Sequence, residues 1–458
     1  IARPSALSES DATQLGLYLR EAYYTYQNMG FSYERRTRWP IEVTVWDMDP
    51  DKYGLFCPSK WSNDWTKMKF NVHKITDLPA MRVTAGHEFF HFVQYLYDTR
   101  LPYAKNFPTS YSKSLNWLNE AAAVWAEEKF SGSNPDYVSP IRHGHEMAPF
   151  SGMEAGSKGS WSLTSSAHHG YGMSAFIKYL VENFGESIVL SIYENISQEQ
   201  HPHPVQAIEQ SLQSLPIPTT LSAEWELFLR EYVTGAIYNM NSTQFVVQRS
   251  GTLQFRSDAD KEASFTKSYP DLSARLFLVK LDDPDIMPAK AIKLTIDQDQ
   301  CEITLFKFRL TDEFAQFLSY SFTKQLTQKG LRALTDDGYD LLVMVTNPNY
   351  AAPYTNTKQI TLDIVIESIA AAMTLSANPP AVAADGTSTS TITATVTDDE
   401  GNPVEGETVF FTTDHGGLSP TRADTDATGV ASVVYTAPDY QPAGGTATVT
   451  GGTLYDVT

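Results

Sequence analysis

Ala85-Gly86-His87-Glu88-Phe89-Phe90-His91-Phe92-Val93-Gln94 decides how the first half of this chain is read. Two histidines sit four positions apart around a glutamate. On a helix that spacing puts both imidazoles on one face, one turn or about 5.4 Å apart along the axis, where they can share a metal ion. Glu88, next to the first histidine, is placed to take a proton from a water on that metal. The helix is predicted from the other face: Phe89, Phe92, Val93 and Leu96 recur at i, i+3, i+4 and i+7 as an apolar stripe. The bland alternative is a pair of core histidines. Two imidazoles at ligand spacing around a carboxylate, with an apolar back face, favour zinc.

Zinc needs a third protein ligand and a position left open for water. The stretch Asn116-Trp117-Leu118-Asn119-Glu120-Ala121-Ala122-Ala123-Val124-Trp125-Ala126-Glu127-Glu128 supplies candidates. Its alanines and its lack of Gly and Pro predict a second helix. Glu120 and Glu127 stand two turns apart, about 10.5 Å, so both cannot easily reach one ion. Read from the residues alone, the choice between them stays open. Trp117-Leu118-Asn119-Glu120, taken with the histidine motif, resembles the gluzincin metallopeptidases, the superfamily of thermolysin and the zinc aminopeptidases. The resemblance implies that Glu120 is the third zinc ligand. Glu127 is then an acceptor for a ligand imidazole N–H, or simply a solvated charge.

The likeness is strong over the two motifs and holds only in outline elsewhere. The spacing from His91 to Glu120 is longer than in the best-known gluzincins. Thr99–Ser114, with Pro102 and Pro108, reads as an inserted irregular loop. The Gly-x-Met-Glu-Asn motif that holds substrate amino termini in the aminopeptidases is absent upstream. Gly152-Met153-Glu154-Ala155 lies downstream and lacks the Asn. That argues against an aminopeptidase and leaves an endopeptidase, and the two motifs together resemble secreted bacterial gluzincins more than thermolysin itself.

The chain has 458 residues and a net charge of −20. That length predicts several domains. The charge argues against a nucleic-acid partner, which would need a basic stripe. No apolar run is long enough for a membrane span. Ile1-Ala2-Arg3-Pro4 does not read as a signal peptide, which leaves room for a trimmed mature form. Cys57 and Cys301 are the only cysteines. They could pair or stay as free thiols.

Within residues 1–243, a mainly helical zincin-like domain is expected. Ser8–Met29 reads as a helix capped at Ser10 and stopped at Gly30. Ile41–Trp46 alternates like a strand. Asp47, Asp49 and Asp51 form an acidic turn with a weak claim on calcium, since the Gly and terminal Glu of an EF-hand are missing. Ser131–Gly170 reads as a loop rich in histidine. His168, His169 and Tyr171 are the candidates to stabilise the oxyanion of a peptidase reaction. An accessory zinc on His143 and His145 is a weaker reading. Helices are predicted over Tyr171–Phe184, Glu186–Ile196, Val205–Ser214 and Ser222–Tyr238.

From about Gln244 short alternating runs replace helices, and residues 244–369 read as an accessory β-sandwich used as a spacer or for docking. Residues 370–458 change texture again. Ser376-Ala377-Asn378-Pro379-Pro380, Ala383-Ala384-Asp385-Gly386 and Asp398-Asp399-Glu400-Gly401-Asn402-Pro403-Val404 resemble a bacterial Ig-like domain of the invasin/intimin type. That resemblance implies an extracellular module in contact with a cell surface or glycan.

The expected molecule is thus a multidomain α+β protein, secreted or at the cell surface. It would hydrolyse protein or peptide through zinc on His87, His91 and Glu120, with Glu88 as the base. Two rivals remain at this stage. One is a surface adhesin or glycan-binding protein with a vestigial zincin lobe. The other is a hydrolase of non-peptide bonds.

Overall fold

The computed structural model describes residues 7–107, 109–132, 145–155, 163–238, 248–255, 262–281, 290–309, 315–329, 331–368, 370–398 and 401–453. His143 falls outside them. Mixed helical and β structure fills three successive regions.

The first region is a helical lobe with one small sheet. Helix α1 (Glu9–Asn28) starts where the Ser8 side chain accepts the Asp11 N–H. It packs on α2 (Leu78–Tyr97), the helix that carries the histidine motif. Asp77 caps α2 by accepting the Ala80 N–H, and Pro79 sits in the first turn, where its missing N–H costs nothing. The apolar stripe predicted for α2 is only part of its burial. Phe90, Tyr95 and Tyr97 are buried as well as Phe89, Phe92, Val93 and Leu96. Tyr26 of α1 stacks on Phe90 at 4.5 Å and donates its hydroxyl to the Gly86 carbonyl. Each buried aromatic of this kind contributes roughly 1.5–3 kcal/mol. Strands β1 (Glu42–Trp46), β2 (Gly54–Cys57) and β3 (Lys67–Asn71) form a sheet of order β1-β3-β2. Met68 and Phe70 face the core, which leaves β2 as an edge against α2.

The segment expected to be an irregular loop, Thr99–Ser114, instead contains a short helix α3 (Pro102–Lys105) and the start of α4 (Ser110–Ala126). The Thr109 side chain accepts the Ser112 N–H and so begins α4 earlier than its alanines suggest. Helix α5 (Leu163–Phe184) begins before the expected start at Tyr171, so His168 and His169 lie on the helix with Tyr171 rather than in a loop. Helices α6 (Ser187–Ile196), α7 (Pro204–Gln213) and α8 (Leu221–Val233) complete the lobe.

Two sheets follow, with a short helix α9 (Leu331–Asp336); one runs in the order β10 (Gln325–Lys329), β7 (Lys290–Ile296), β12 (Thr357–Ser368), β5 (Glu262–Pro270), the other in the order β4 (Gly251–Gln254), β6 (Ser273–Lys280), β11 (Asp340–Asn347), β8 (Glu302–Phe308), β9 (Gln316–Ser321). The central strands β6 (Ser273–Lys280), β8 (Glu302–Phe308) and β11 (Asp340–Asn347) are buried on both faces. Phe277, Val279, Ile303, Leu305, Val343 and Val345 point into the sandwich. Leu276, Leu278, Phe306, Phe308, Leu342 and Met344 join the core of the helical lobe. The sandwich is therefore not a detached spacer. Its near-continuous apolar runs are those of a sheet covered on both sides. Cross-lobe bonds support the joint: Arg275 Nη1 donates to the Phe150 carbonyl at 2.7 Å, and Ser222 Oγ to the Pro348 carbonyl at 2.8 Å.

The last region is a small sandwich, with β13 (Ala372–Asn378), β14 (Thr389–Thr397), β18 (Val430–Thr436) and β16 (Gly417–Ser419) in one sheet and β17 (Arg422–Asp424), β15 (Thr408–Thr413) and β19 (Val449–Thr453) in the other. In β14, exposed Thr391 and half-buried Thr393, Thr395 and Thr397 alternate with buried Ile392, Ala394 and Val396. This module has its own core, centred on those residues with Val409, Phe411, Val433 and Tyr435.

Cys57 and Cys301 are both free thiols. Asp47 of the acidic turn pairs with His73 at 3.0 Å and is exposed. Among the described residues, the Asp47–Asp51 turn forms no metal-ligating group, which removes the support for calcium there.

Candidate metal centre

His87 and His91 face the same way from successive turns of α2, with their Nε2 atoms 3.0 Å apart. Glu120, from the middle of α4, brings Oε2 to 3.6 Å from His87 Nε2 and 3.4 Å from His91 Nε2. A tetrahedral zinc site with bonds of about 2.0–2.1 Å has ligand-to-ligand edges of roughly 3.3 Å. The three spacings bracket that value. Among the described residues this is the one cluster of metal-ligating groups.

The other nitrogen of each imidazole is already committed. His87 Nδ1 lies 2.8 Å from Glu127 Oε1, and His91 Nδ1 lies 2.9 Å from Gln94 Oε1. Both acceptors take an N–H, so in the neutral rings both Nε2 lone pairs point at one shared place. Two lone pairs at that separation, with a carboxylate beside them, suit a cation. The charge balance agrees. Burial disfavours charge on His87, yet its contacts with Glu120 and Glu127 hold it well above the usual histidine range. His91 is also raised against burial, chiefly by Glu120. Glu120 is held well below the usual carboxylate range, because the two imidazoles outweigh its burial. The side chains of these three residues keep only 14–16 % exposure, so the donors are largely withdrawn from solvent. The residues present therefore fit a metal.

Glu88 is buried, and its Oε2 accepts the Phe56 N–H from strand β2. Burial raises its proton affinity, and His87 and His91 pull the other way. Gly54 explains how the strand comes so close: a Cβ there would meet Thr84 at 2.7 Å and the Glu88 Cγ at 2.8 Å.

The three oxyanion candidates separate clearly. His169 is buried, points Nε2 at the Met153 carbonyl at 3.0 Å, and is pushed down to about 4 by burial. It is committed to packing beside Trp117. His168 is exposed and stacks on His145, ring centres 5.3 Å apart. Tyr171 is half-buried, with its ring beside those of His145 and His168. Burial and then the carboxylates of Glu120, Glu88 and Glu127 push its hydroxyl well above the usual phenol range, so it keeps its proton. The approach of α5 is set by Gly170, where a Cβ would meet the Trp117 carbonyl at 2.4 Å and the Glu120 Cβ at 2.7 Å.

Sequence reasoning missed Gln94, Gly54, the Phe56 N–H and Gly170. Gln94 was in view, three residues past His91 and on the same face. The others depend on contacts between elements distant in the chain.

Comparison with known proteins adds one firm result. Residues 372–458 match the family model of the bacterial Ig-like domain (group 1). The search of curated proteins returned no match. Among solved structures, the D0-D1 domain of intimin is 16 % identical, covering 46 % of this chain and 89 % of that one, with a TM-score of 0.17. Invasin, described as a bacterial integrin-binding protein, is 18 % identical over 43 % of this chain and 37 % of its own, with a TM-score of 0.18. A periplasmic inhibitor of g-type lysozyme from Salmonella Typhimurium is 11 % identical over 26 % of this chain and all of its own, at 0.17. At such scores neither fold nor function is carried over. No helix among the described residues is long and apolar enough to cross a membrane.

Proposed function

We propose that the helical lobe is a zinc-dependent peptidase centre of the gluzincin kind, acting as an endopeptidase on protein or peptide. The observation that carries this reading is the convergence of His87, His91 and Glu120 at zinc-ligand spacing, beside the buried carboxylate of Glu88. Zinc bound there would supply a Lewis acid for the scissile carbonyl and lower the pKa of a water towards about 7. The chain's own residues do the rest. Glu127 and Gln94 hold the two imidazoles with Nε2 free. Glu88 accepts a proton at Oε1, because Oε2 is engaged by the Phe56 N–H, and returns it to the leaving amine. Tyr171 donates a hydrogen bond to the carbonyl oxygen as that oxygen gains charge.

A second reading has its own support. The Ig-like module favours a surface or extracellular protein of bacterial type that binds a cell surface or glycan, with a lobe that no longer catalyses. The comparisons speak to that module and not to the lobe. Glu88, in place beside the two histidines, favours the enzyme.

The deciding measurement is zinc per chain by elemental analysis, in the wild type and in His91→Ala. The expected result is one zinc per chain, lost in the variant. A wild type that takes up no zinc, even when incubated with it, overturns the peptidase reading and leaves the surface-binding one.

A further inference from the structure

The two imidazoles are held by different chemistry. His87 is backed by a carboxylate, Glu127. A carboxylate is acceptor-only and accepts from a charged or a neutral imidazole alike. His91 is backed by Gln94, whose amide can offer either its oxygen or its nitrogen. What decides is the far side of that amide. Gln94 Nε2 lies 2.9 Å from the backbone carbonyl of Asn119. A carbonyl can only accept, so the amide NH₂ faces Asn119 and the amide oxygen faces His91. The oxygen in turn takes a hydrogen from His91 Nδ1, which leaves Nε2 as the bare nitrogen.

Gln94 is 2 % exposed, so water does not readily offer it an alternative pairing. Its anchor is itself tied down. The Tyr193 hydroxyl, from α6 and fully buried, donates to Asn119 Oδ1 at 3.0 Å and also lies beside Gln94. Asn119 is the neighbour of Glu120 in α4. One hydrogen-bonded set therefore spans α6, α4 and α2 and touches the settings of two of the three metal donors. We propose that Gln94 is the positioning residue that locks His91 as its Nδ1–H tautomer, with the Asn119 carbonyl fixing the amide and Tyr193 fixing Asn119. This rests on the metal-centre reading above, since it assigns Nε2 of His91 as a ligand.

The test uses Gln94→Met, which keeps bulk but removes both bonds, and Gln94→Glu, which restores an acceptor for His91. Zinc affinity is read by competition with a chelator. The tautomer is read by ¹⁵N NMR of the ring nitrogens in metal-free protein, at a pH where the ring is neutral. The expected result for Gln94→Met is zinc binding weaker by roughly 10–100-fold and a mixed His91 tautomer. Gln94→Glu is expected to return the single tautomer but to recover zinc affinity only in part, because its second oxygen meets the Asn119 carbonyl with no hydrogen to give. Tyr193→Phe is expected to show a smaller loss, in the same direction. A folded Gln94→Met protein with wild-type zinc affinity and one His91 tautomer overturns the proposal. So does a wild-type His91 carrying its hydrogen on Nε2. If the wild type binds no zinc but shows the Nδ1–H tautomer, the metal-centre reading fails and the tautomer lock stands.

Discussion

The two sides of the donor cluster are built in different ways. On one side, α2 supplies His87, Glu88 and His91 from five consecutive residues, and helix geometry alone aligns the two imidazoles. On the other side, Glu120 and Tyr171 come from α4 and α5, and their places depend on how closely those helices pack. The first side is local and would form wherever α2 is helical. The second is tertiary, and one glycine governs it. The lesson is that the histidines make the site recognisable, while the α4–α5 contact makes it complete.

The largest effect should come from the local side. Glu88→Gln removes the proton acceptor but leaves all three donors. Peptide hydrolysis should fall by about 10⁴, the upper end for a general acid–base group, because both proton transfers use this carboxylate. Zinc content should stay at the wild-type value. A Glu88→Gln protein that hydrolyses at the wild-type rate breaks the assignment of the base. The packed side should contribute less. Tyr171→Phe deletes one hydrogen-bond donor, which costs about 10² in kcat by analogy with the loss of an oxyanion donor. KM should change little if the bond strengthens only as the carbonyl gains charge. An unchanged kcat would return the role to His168, the exposed neighbour one turn away.

This contrast explains what the sequence could and could not reveal. His87, Glu88 and His91 were legible because the chemistry and the 3.6-residue period lie in one short stretch. Glu120 was legible only through a resemblance, since the residues alone left Glu127 open. The structure assigns that pair different tasks: Glu120 faces both Nε2 atoms, and Glu127 holds His87 Nδ1. His168 and His169 were read as loop because Gly, Ser, Pro and His crowd Ser131–Gly170, and the helix was expected only from Tyr171, between Gly170 and Gly172. Both are close-approach positions inside α5. A Cβ at Gly172 would meet the His145 carbonyl at 2.2 Å. The central sandwich hid its role for a similar reason. Leu341–Thr346 was read as an alternating strand, yet Leu341–Val345 is apolar throughout, and only the second core shows what covers its other face. The Ig-like module was clear because alternation in β14 is nearly strict and its core is its own.

The smallest expected effect gives the sharpest test of the packed side. Gly170→Ala adds one methyl where the nearest atom is the Trp117 backbone carbonyl, at 2.4 Å, with the Glu120 Cβ close behind at 2.7 Å. A backbone atom inside a helix cannot swing aside as a side-chain tip can, so α4 and α5 must separate. Overpacking of this kind costs about 1–3 kcal/mol, which should appear as a lower Tm. The shift also moves Glu120 relative to the histidines, so zinc affinity should fall several-fold while the histidine pair remains. The control is Gly16→Ala in α1, where a Cβ would meet nothing within 4 Å. There the same methyl should leave zinc affinity unchanged and stabilise the exposed helix by up to about 1 kcal/mol. If Gly170→Ala lowers Tm yet binds zinc as tightly as the wild type, the Glu120 side does not depend on this approach. Both sides of the site would then be equally local in origin, and the contrast between them would fall.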